Sequence, residues 1–321
     1  MPSVGRLPCA MMKQIWVATL LLGHLTVSAA EPFLGVTVGY DVDPQRVAPL
    51  MRQAGVTTCR LWAAVDYNNR TGVTVHGADV FEQARAFRKL GFRVILLIHN
   101  PEPASPDQVK AFFEWAVDHH GRAGGMPLAE AVDAWEILNE LNLKEYWTGT
   151  PHAYVNDILR PAYEVLSRRS EPVIGGSFTA WQAQADGRMA WADRVERAGV
   201  AKAYVDAGYL RWCDFAGLHP YTDSPERMLA VVDAHQSVFG RKGILMTEWN
   251  LKTWSDPAAQ AKALGSVLPE LQRRVAGMCF YRLTRVQGYW GLLEKGAEGW
   301  IRSEPFFSAY QQWSKSWTEA P

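Results

Sequence analysis

Cysteine is scarce in this chain, with 4 in 321 residues. Cys9 lies near the N-terminus, which leaves Cys59, Cys213 and Cys279 as an odd set. A disulfide framework needs an even set and suits a smaller fold, and no C-x-x-C or Cys/His cluster offers zinc ligands. Cys59 and Cys279 fall within apolar strand-like runs, where Cys behaves as a small hydrophobe. An excess of one charge is also missing. Lys+Arg and Asp+Glu both number 33, so nothing points to a polyanion such as nucleic acid as a partner. No Gly-rich dinucleotide turn follows any strand-like run, which argues against a doubly wound nucleotide-binding sheet. Linkers, low-complexity tracts and breaks in composition are lacking too, so a single domain is expected.

One long apolar stretch is present, and only near the start. Arg6 and Lys13 precede the run from Ile15 to Val27, and Ser28-Ala29-Ala30 supplies the small residues that a signal peptidase needs. The run is short for a bilayer span and is interrupted by His24. Residues 1–30 are therefore expected to be a cleaved signal peptide, and residues 31–321 an exported protein, periplasmic or secreted, with no stable membrane insertion. Asn69-Arg70-Thr71 matches the N-glycosylation pattern, which matters only in a eukaryotic secretory route. Tryptophan is abundant, with 14 copies. Several lie in loop-like contexts that suit stacking on flat apolar faces such as sugar rings, and the others suit a large core.

From Phe33 onward, short β-rich runs alternate with longer helical patterns, the mark of repeated strand–helix units. The expected strands are Phe33–Tyr40, Thr57–Trp62, Arg93–His99, Ala134–Glu140, Pro172–Phe178, Phe215–Tyr221, Gly243–Asn250 and Gly277–Leu283. The expected helices are Pro44–Ala54, Val80–Leu90, Pro106–His119, His152–Arg168, an irregular Arg188–Ala207, Pro225–Phe239, Pro257–Arg273 and a closing Pro305–Trp313. Ser105-Pro106-Asp107 and Asp256-Pro257 look like helix starts, and Gly55, Gly91 and Gly199 look like left-handed caps after helices. The strands are continuous apolar runs, as in a parallel sheet buried on both faces. Eight units predict a (β/α)8 TIM barrel, a fold that typically takes about 250 residues.

In such a barrel every strand ends on one face, where the loops build the site. The strand ends carry Arg60, His99, Asn100, Asn139, Glu140, His219, Tyr221 and Glu248. Each has a structural explanation when taken alone, as a loop anchor or an ion-pair partner; their convergence is the signal. Glu140 and Glu248 close the fourth and seventh strands, and two carboxylates facing one cleft are the minimal equipment for cutting a glycosidic bond. Glu136 sits inside its strand, so it is read as a buried structural support that must be paired. A metal-dependent isomerase or endonuclease barrel would need further strand-end acids. None is well placed, so no metal and no cofactor are expected.

The run Glu136-Ile137-Leu138-Asn139-Glu140-Leu141-Asn142 resembles the E-x-W-N-E-P-N signature of clan A glycoside hydrolases, the 4/7 barrels, and most closely that of glycoside hydrolase family 39. Leu138 stands where Trp is usual, and Leu141 where Pro is usual. Gly217-Leu218-His219-Pro220-Tyr221 and Thr247-Glu248-Trp249 also match clan patterns, with features of family 5. The resemblance spans residues 31–321 in layout, although its motifs are short.

The resemblance implies a retaining mechanism with Glu248 as nucleophile and Glu140 as acid/base, their carboxyls about 5–5.5 Å apart. At that separation ionised Glu248 disfavours a second negative charge and keeps Glu140 protonated as the acid. Arg60 and Tyr221 would support the charge on Glu248, Asn139 would hold the sugar 2-hydroxyl, and His99 and His219 would position hydroxyls or the catalytic acids. Where family 5 places a Trp platform after the eighth strand, Phe280-Tyr281-Arg282-Leu283 brings Arg282, with Trp290 as a substitute platform. Arg282 either meets an acidic or highly hydroxylated sugar or forms a barrel-end salt bridge. The expected partner is a polysaccharide or oligosaccharide, probed by a monomer that cuts internally. A non-catalytic sugar-binding barrel in polysaccharide assembly and a transglycosylase remain alternatives.

Overall fold

The computed structural model describes residues 33–39, 41–69, 71–73, 79–100, 102–121, 125–183, 189–191, 194–251, 256–285 and 290–319. The expected signal peptide, Tyr40 and Arg70 lie outside the described residues. Every element named here belongs to the compact unit Pro32–Pro321.

Eight parallel strands form a closed ring: β1 (Phe33–Thr37), β2 (Thr58–Asp66), β3 (Arg93–His99), β4 (Ala134–Ile137), β5 (Val173–Thr179), β6 (Phe215–His219), β7 (Gly243–Trp249) and β8 (Gly277–Phe280). Val36 of β1 lies opposite Phe280 of β8 on one side and Cys59 of β2 on the other, which closes the barrel. Around it run α1 (Pro44–Ala54), α2 (Val80–Lys89), α3 (Pro106–Asp118), α4 (residues 151–166), α5 (Arg194–Asp206), α6 (Pro225–Phe239), α7 (Pro257–Gln272) and α8 (Phe306–Glu319). The fold is a (β/α)8 TIM barrel. Helix starts follow the local chemistry of the sequence. Asp43, Ser105, Ser224 and Asp256 accept hydrogen bonds from the first backbone amides, each with Pro in the first turn, and each such cap contributes about 1 kcal/mol.

The large aromatics, including Trp135, Phe112, Phe113, Phe280 and Trp313, fill the layer between ring and helices. A separate small cluster of Ile95, Ala134, Ile174, Leu245 and Cys279, one residue from each of five strands, plugs the barrel interior. Side chains alternate along a strand, so two residues beyond Ala134 and Leu245 the inward face carries Glu136 and Thr247. The register between β7 and β8 then shifts between Met246 and Trp249. Such an irregularity re-aims the strand end, and here Thr247 and Glu248 both reach inward partners.

Several elements differ from the sequence expectation. β2 runs on past Trp62 to Asp66 because Thr71–Val73 pairs with it antiparallel. β4 stops at Ile137, because Leu138 and Glu140 both have positive φ, 69° and 30°. The stretch Arg188–Ala207 begins with a short strand, Met189–Trp191, paired with Trp181–Ala183, and its helix starts only at Arg194. Gly199 therefore lies inside α5, and the left-handed turn falls at Gly208, φ 100°. α8 continues to Glu319, and a hairpin of Leu293–Gly296 with Gly299–Arg302 precedes it. Cys59, Cys213 and Cys279 are free and buried. Among the described residues no helix is long and apolar enough to cross a membrane.

Candidate active site

Arg60, on β2, organises the polar floor at the C-terminal end of the barrel. Its guanidinium donates from Nε to Glu136 Oε2 (2.6 Å), from Nη1 to Glu248 Oε1 (2.5 Å) and from Nη2 to Asn139 Oδ1 (3.2 Å). A planar fork that cannot be deprotonated suits such a three-way task, and charge-assisted bonds of this kind are the strong ones. The side chains of Arg60 and Glu136 are fully buried, whereas those of Glu248 and Glu140 are 7% and 10% exposed. Only the latter two carboxylates can meet a ligand. Glu136 is thus a buried support paired with Arg60.

Glu140 stands on a turn that the surrounding structure holds in an uncommon backbone conformation. Non-glycine residues at positive φ cost of order 1–3 kcal/mol each and persist only where neighbours over-determine them. Here the neighbours are explicit. Ser177 Oγ accepts the Glu140 amide and the Ser177 carbonyl accepts the Leu141 amide. Tyr204 donates to the Leu141 carbonyl, and the Asn142 side chain pairs both ways with the Thr179 backbone. Gly176 lets this turn approach β5: a Cβ there would lie 2.7 Å from the Ile137 carbonyl oxygen.

His219, at the end of β6, links the carboxylates. Its Nδ1 lies 2.9 Å from Glu140 Oε1 and its Nε2 3.0 Å from Thr247 Oγ1, while Thr247 donates to Glu136 Oε1 at 2.8 Å. Tyr221 donates to Glu248 Oε2 at 2.5 Å. Burial of Glu248 works against its charge. The neighbouring His219 and the charge of Arg60, with the hydrogen bonds from Tyr221 and Arg60, outweigh it and hold this carboxyl below the usual range. One carboxylate oxygen each from Glu140 and Glu248 and one nitrogen of His219 lie within 4.8 Å of one another.

Those three residues could in principle ligate a cation, but their donor atoms are already engaged. Arg60 and Tyr221 occupy the two oxygens of Glu248, and His219 is held between Glu140 and Thr247. A guanidinium at 2.5 Å also repels a divalent ion. The set does not fit a metal site.

His99 ends β3 beside Trp62 and Tyr146, with ring centroids 5.2 and 5.6 Å away. Burial, and then the charge of Arg60, push its imidazole down to about 4, so it is neutral near neutral pH. Its buried Nδ1 finds no hydrogen-bond partner among the described residues. Arg282 turns toward β1: it donates to Thr284 Oγ1 (3.1 Å), lies 3.7 Å from Asp41, and packs on Gly39. Trp290 carries the Arg285 guanidinium 3.9 Å above its ring and packs against the main core. The structure therefore gathers Arg60, Asn139, Glu140, His219, Tyr221 and Glu248 into one bonded group, and ties Arg282 and Trp290 to other partners.

Sequence reasoning missed Tyr281, the first residue after β8. Its ring meets Tyr221 edge-on at 5.6 Å. Burial pushes its hydroxyl up to about 12, with the charge of Glu248 adding to the effect. The strand-end rule that found the others points to this position as well; Arg282, one residue on, drew attention away from it. Thr247 and Ser177 were also missed, since nothing in a lone hydroxyl residue marks it as a bridge.

No protein-family model and no curated protein matches the chain. Solved structures do. Gas2p of Saccharomyces cerevisiae, in complex with laminaritetraose and laminaripentaose, is 14% identical with a TM-score of 0.58, over 89% of this chain and 63% of that one. A GH128 (subgroup II) endo-β-1,3-glucanase from Sorangium cellulosum is 16% identical, TM-score 0.58, over 87% and 97%. The endo-1,4-β-D-mannanase of Thermotoga petrophila is 13% identical, TM-score 0.59, over 89% and 99%. The chain thus spans just under two thirds of Gas2p. At these identities the likeness establishes a shared fold.

Proposed function

We propose that this chain is an exported glycoside hydrolase that cuts β-linked polysaccharides internally and retains anomeric configuration. The observation that carries the proposal is the close approach of two reachable carboxylates, Glu140 and Glu248, at the C-terminal mouth of the barrel. Retaining enzymes hold their carboxyls about 5–5.5 Å apart, whereas inverting ones leave room for a water.

The environments of the two carboxylates differ in the way the chemistry needs. Glu248 is held charged by Arg60 and Tyr221, which suits a nucleophile. Its oxygen attacks the anomeric carbon as the bond to the leaving oxygen breaks, giving a covalent glycosyl–enzyme. Glu140 faces a histidine rather than an arginine, and its proton goes to the leaving oxygen. The resulting Glu140 carboxylate then takes a proton from water, whose oxygen attacks the anomeric carbon and releases Glu248. A sugar hydroxyl acting in place of water would give transglycosylation through the same intermediate.

The fold is shared with proteins that bind laminari-oligosaccharides or act on β-1,3-glucan and β-1,4-mannan, and those polymers are the first substrates to try. The N-terminal stretch supports export, and a monomer suffices, since all six bonded site residues come from one chain. The test is a panel of purified polysaccharides assayed for new reducing ends, using wild type, Glu140→Gln and Glu248→Gln. Each variant is expected to lose at least about 100-fold in turnover while keeping its circular dichroism. Binding without cleavage by wild type would instead favour a sugar-binding barrel.

A further inference from the structure

The bonded chain Glu136–Thr247–His219–Glu140 is anchored at one end by a carboxylate paired with Arg60, and this fixes where the protons sit. Glu136 is fully buried and ion-paired with Arg60 Nε, so it is an ionised carboxylate and can only accept. Thr247 has one hydroxyl proton, and at 2.8 Å from Glu136 Oε1 that proton must point to the carboxylate. The Thr247 oxygen, 3.0 Å from His219 Nε2, is then left as an acceptor. Nε2 must therefore carry a hydrogen. Nδ1, 2.9 Å from Glu140 Oε1, is the position whose proton is exchangeable with the carboxyl.

We infer that Thr247 and Glu136 are positioning residues that lock His219 as the Nε2–H tautomer, so that its Nδ1 shares a proton with Glu140 and keeps that carboxyl supplied as the acid. This rests on the glycosidase reading for its consequence, but its structural part does not. If the neutral ring carried its proton on Nδ1 instead, it would donate to Glu140 and favour the ionised carboxylate, which is wrong for protonating a leaving group. Two structural facts agree with the assignment. Glu136 is fully buried and paired with Arg60, out of reach of a ligand, so the direction of the Thr247 hydroxyl is set within the fold. His219 is fully buried and wedged between β4 and β7, so it cannot flip its ring without breaking both bonds.

The experiment has two arms. In the first, ¹⁵N NMR of His219 in the ligand-free enzyme, assigned with His219→Gln, is followed to the pH at which the ring holds one proton. The Nε2–H pattern is expected, and an Nδ1–H pattern would overturn the inference whether or not the protein cleaves any glycan. In the second arm, Thr247→Val removes the hydroxyl while keeping the shape, and Thr247→Ser restores it. Thr247→Val is expected to lose about 10-fold or more in kcat/KM on natural glycosides, whose leaving groups need a proton. The loss should be several-fold smaller on activated aryl glycosides, and Thr247→Ser should recover most of it. Equal losses on both substrate types, or no recovery in Thr247→Ser, would mean that Thr247 only packs. Should no substrate be found, the first arm still decides the tautomer.

Discussion

At the scale of single residues, Arg60 does most to define the site, because one guanidinium bonds two buried carboxylates. Replacing it with methionine keeps the volume but strands Glu136 and Glu248 without their counter-charge. Removing one partner of a buried pair typically costs 3–5 kcal/mol. Arg60→Met is thus expected to lose about that much stability in urea unfolding, and a loss under about 1 kcal/mol would show that the ion pairs are not formed in solution. His99 yields a second expectation with a sign. Its folded value of about 4 lies below the ordinary 6.5, so between those values the unfolded chain binds a proton that the native fold does not. Stability should therefore fall as pH drops from 6.5 toward 4, and His99→Gln should flatten that stretch of the curve. Glu248 acts in a lower window: its depressed carboxyl stabilises the fold above about 4.5, the ordinary carboxylate value, and that contribution is lost as pH falls below it. The residues that were legible in the sequence are those whose chemistry announces itself at a strand end: Glu140, Glu248, Arg60, His219 and Tyr221. What was not legible is who bonds to whom. Arg60 reaching Glu136 and Asn139 as well as Glu248 depends on barrel stagger, which residue order does not express.

At the scale of elements, the turn after β4 is where local preference and tertiary demand part. The run Ala134–Glu140 reads as one strand because Ala134, Trp135, Ile137 and Leu138 are apolar and β-compatible. The backbone instead leaves the sheet at Leu138, whose φ of 69° belongs to glycine-like territory. Packing against β5 makes that possible, and Gly176 is the point of closest approach. Gly176→Ala would put a methyl 2.7 Å from the Ile137 carbonyl and 3.0 Å from the Leu138 carbonyl. Overpacking of this kind costs about 1–3 kcal/mol and would displace the turn that carries Glu140. A lowered melting temperature with a disproportionate fall in kcat is expected; full activity would show that the turn adjusts without moving the carboxyl. The irregular stretch before α5 has a similar origin. Its hairpin, Trp181–Ala183 with Met189–Trp191, depends on pairing between separated residues, which propensity does not report. Gly199, likewise, is tolerated inside a helix on an exposed face, so a glycine alone does not mark a helix end.

At the scale of the whole molecule, the barrel was legible because eight buried parallel strands leave eight mainly apolar runs, each followed by a helix-length segment. Closure itself is carried by β1, which pairs with both β8 and β2. That closure is what brings residues from β2, β4, β6 and β7 within bonding distance although they are scattered along the chain. The central claim is that Glu140 and Glu248 act as a close pair in two successive displacements at one anomeric carbon. The direct measurement is proton NMR of the first product released from the polysaccharide that wild type cleaves, taken before mutarotation sets in. A β-linked substrate is expected to give the β-anomer first. Appearance of the α-anomer first would contradict the covalent intermediate on Glu248 and require a water between the two carboxylates.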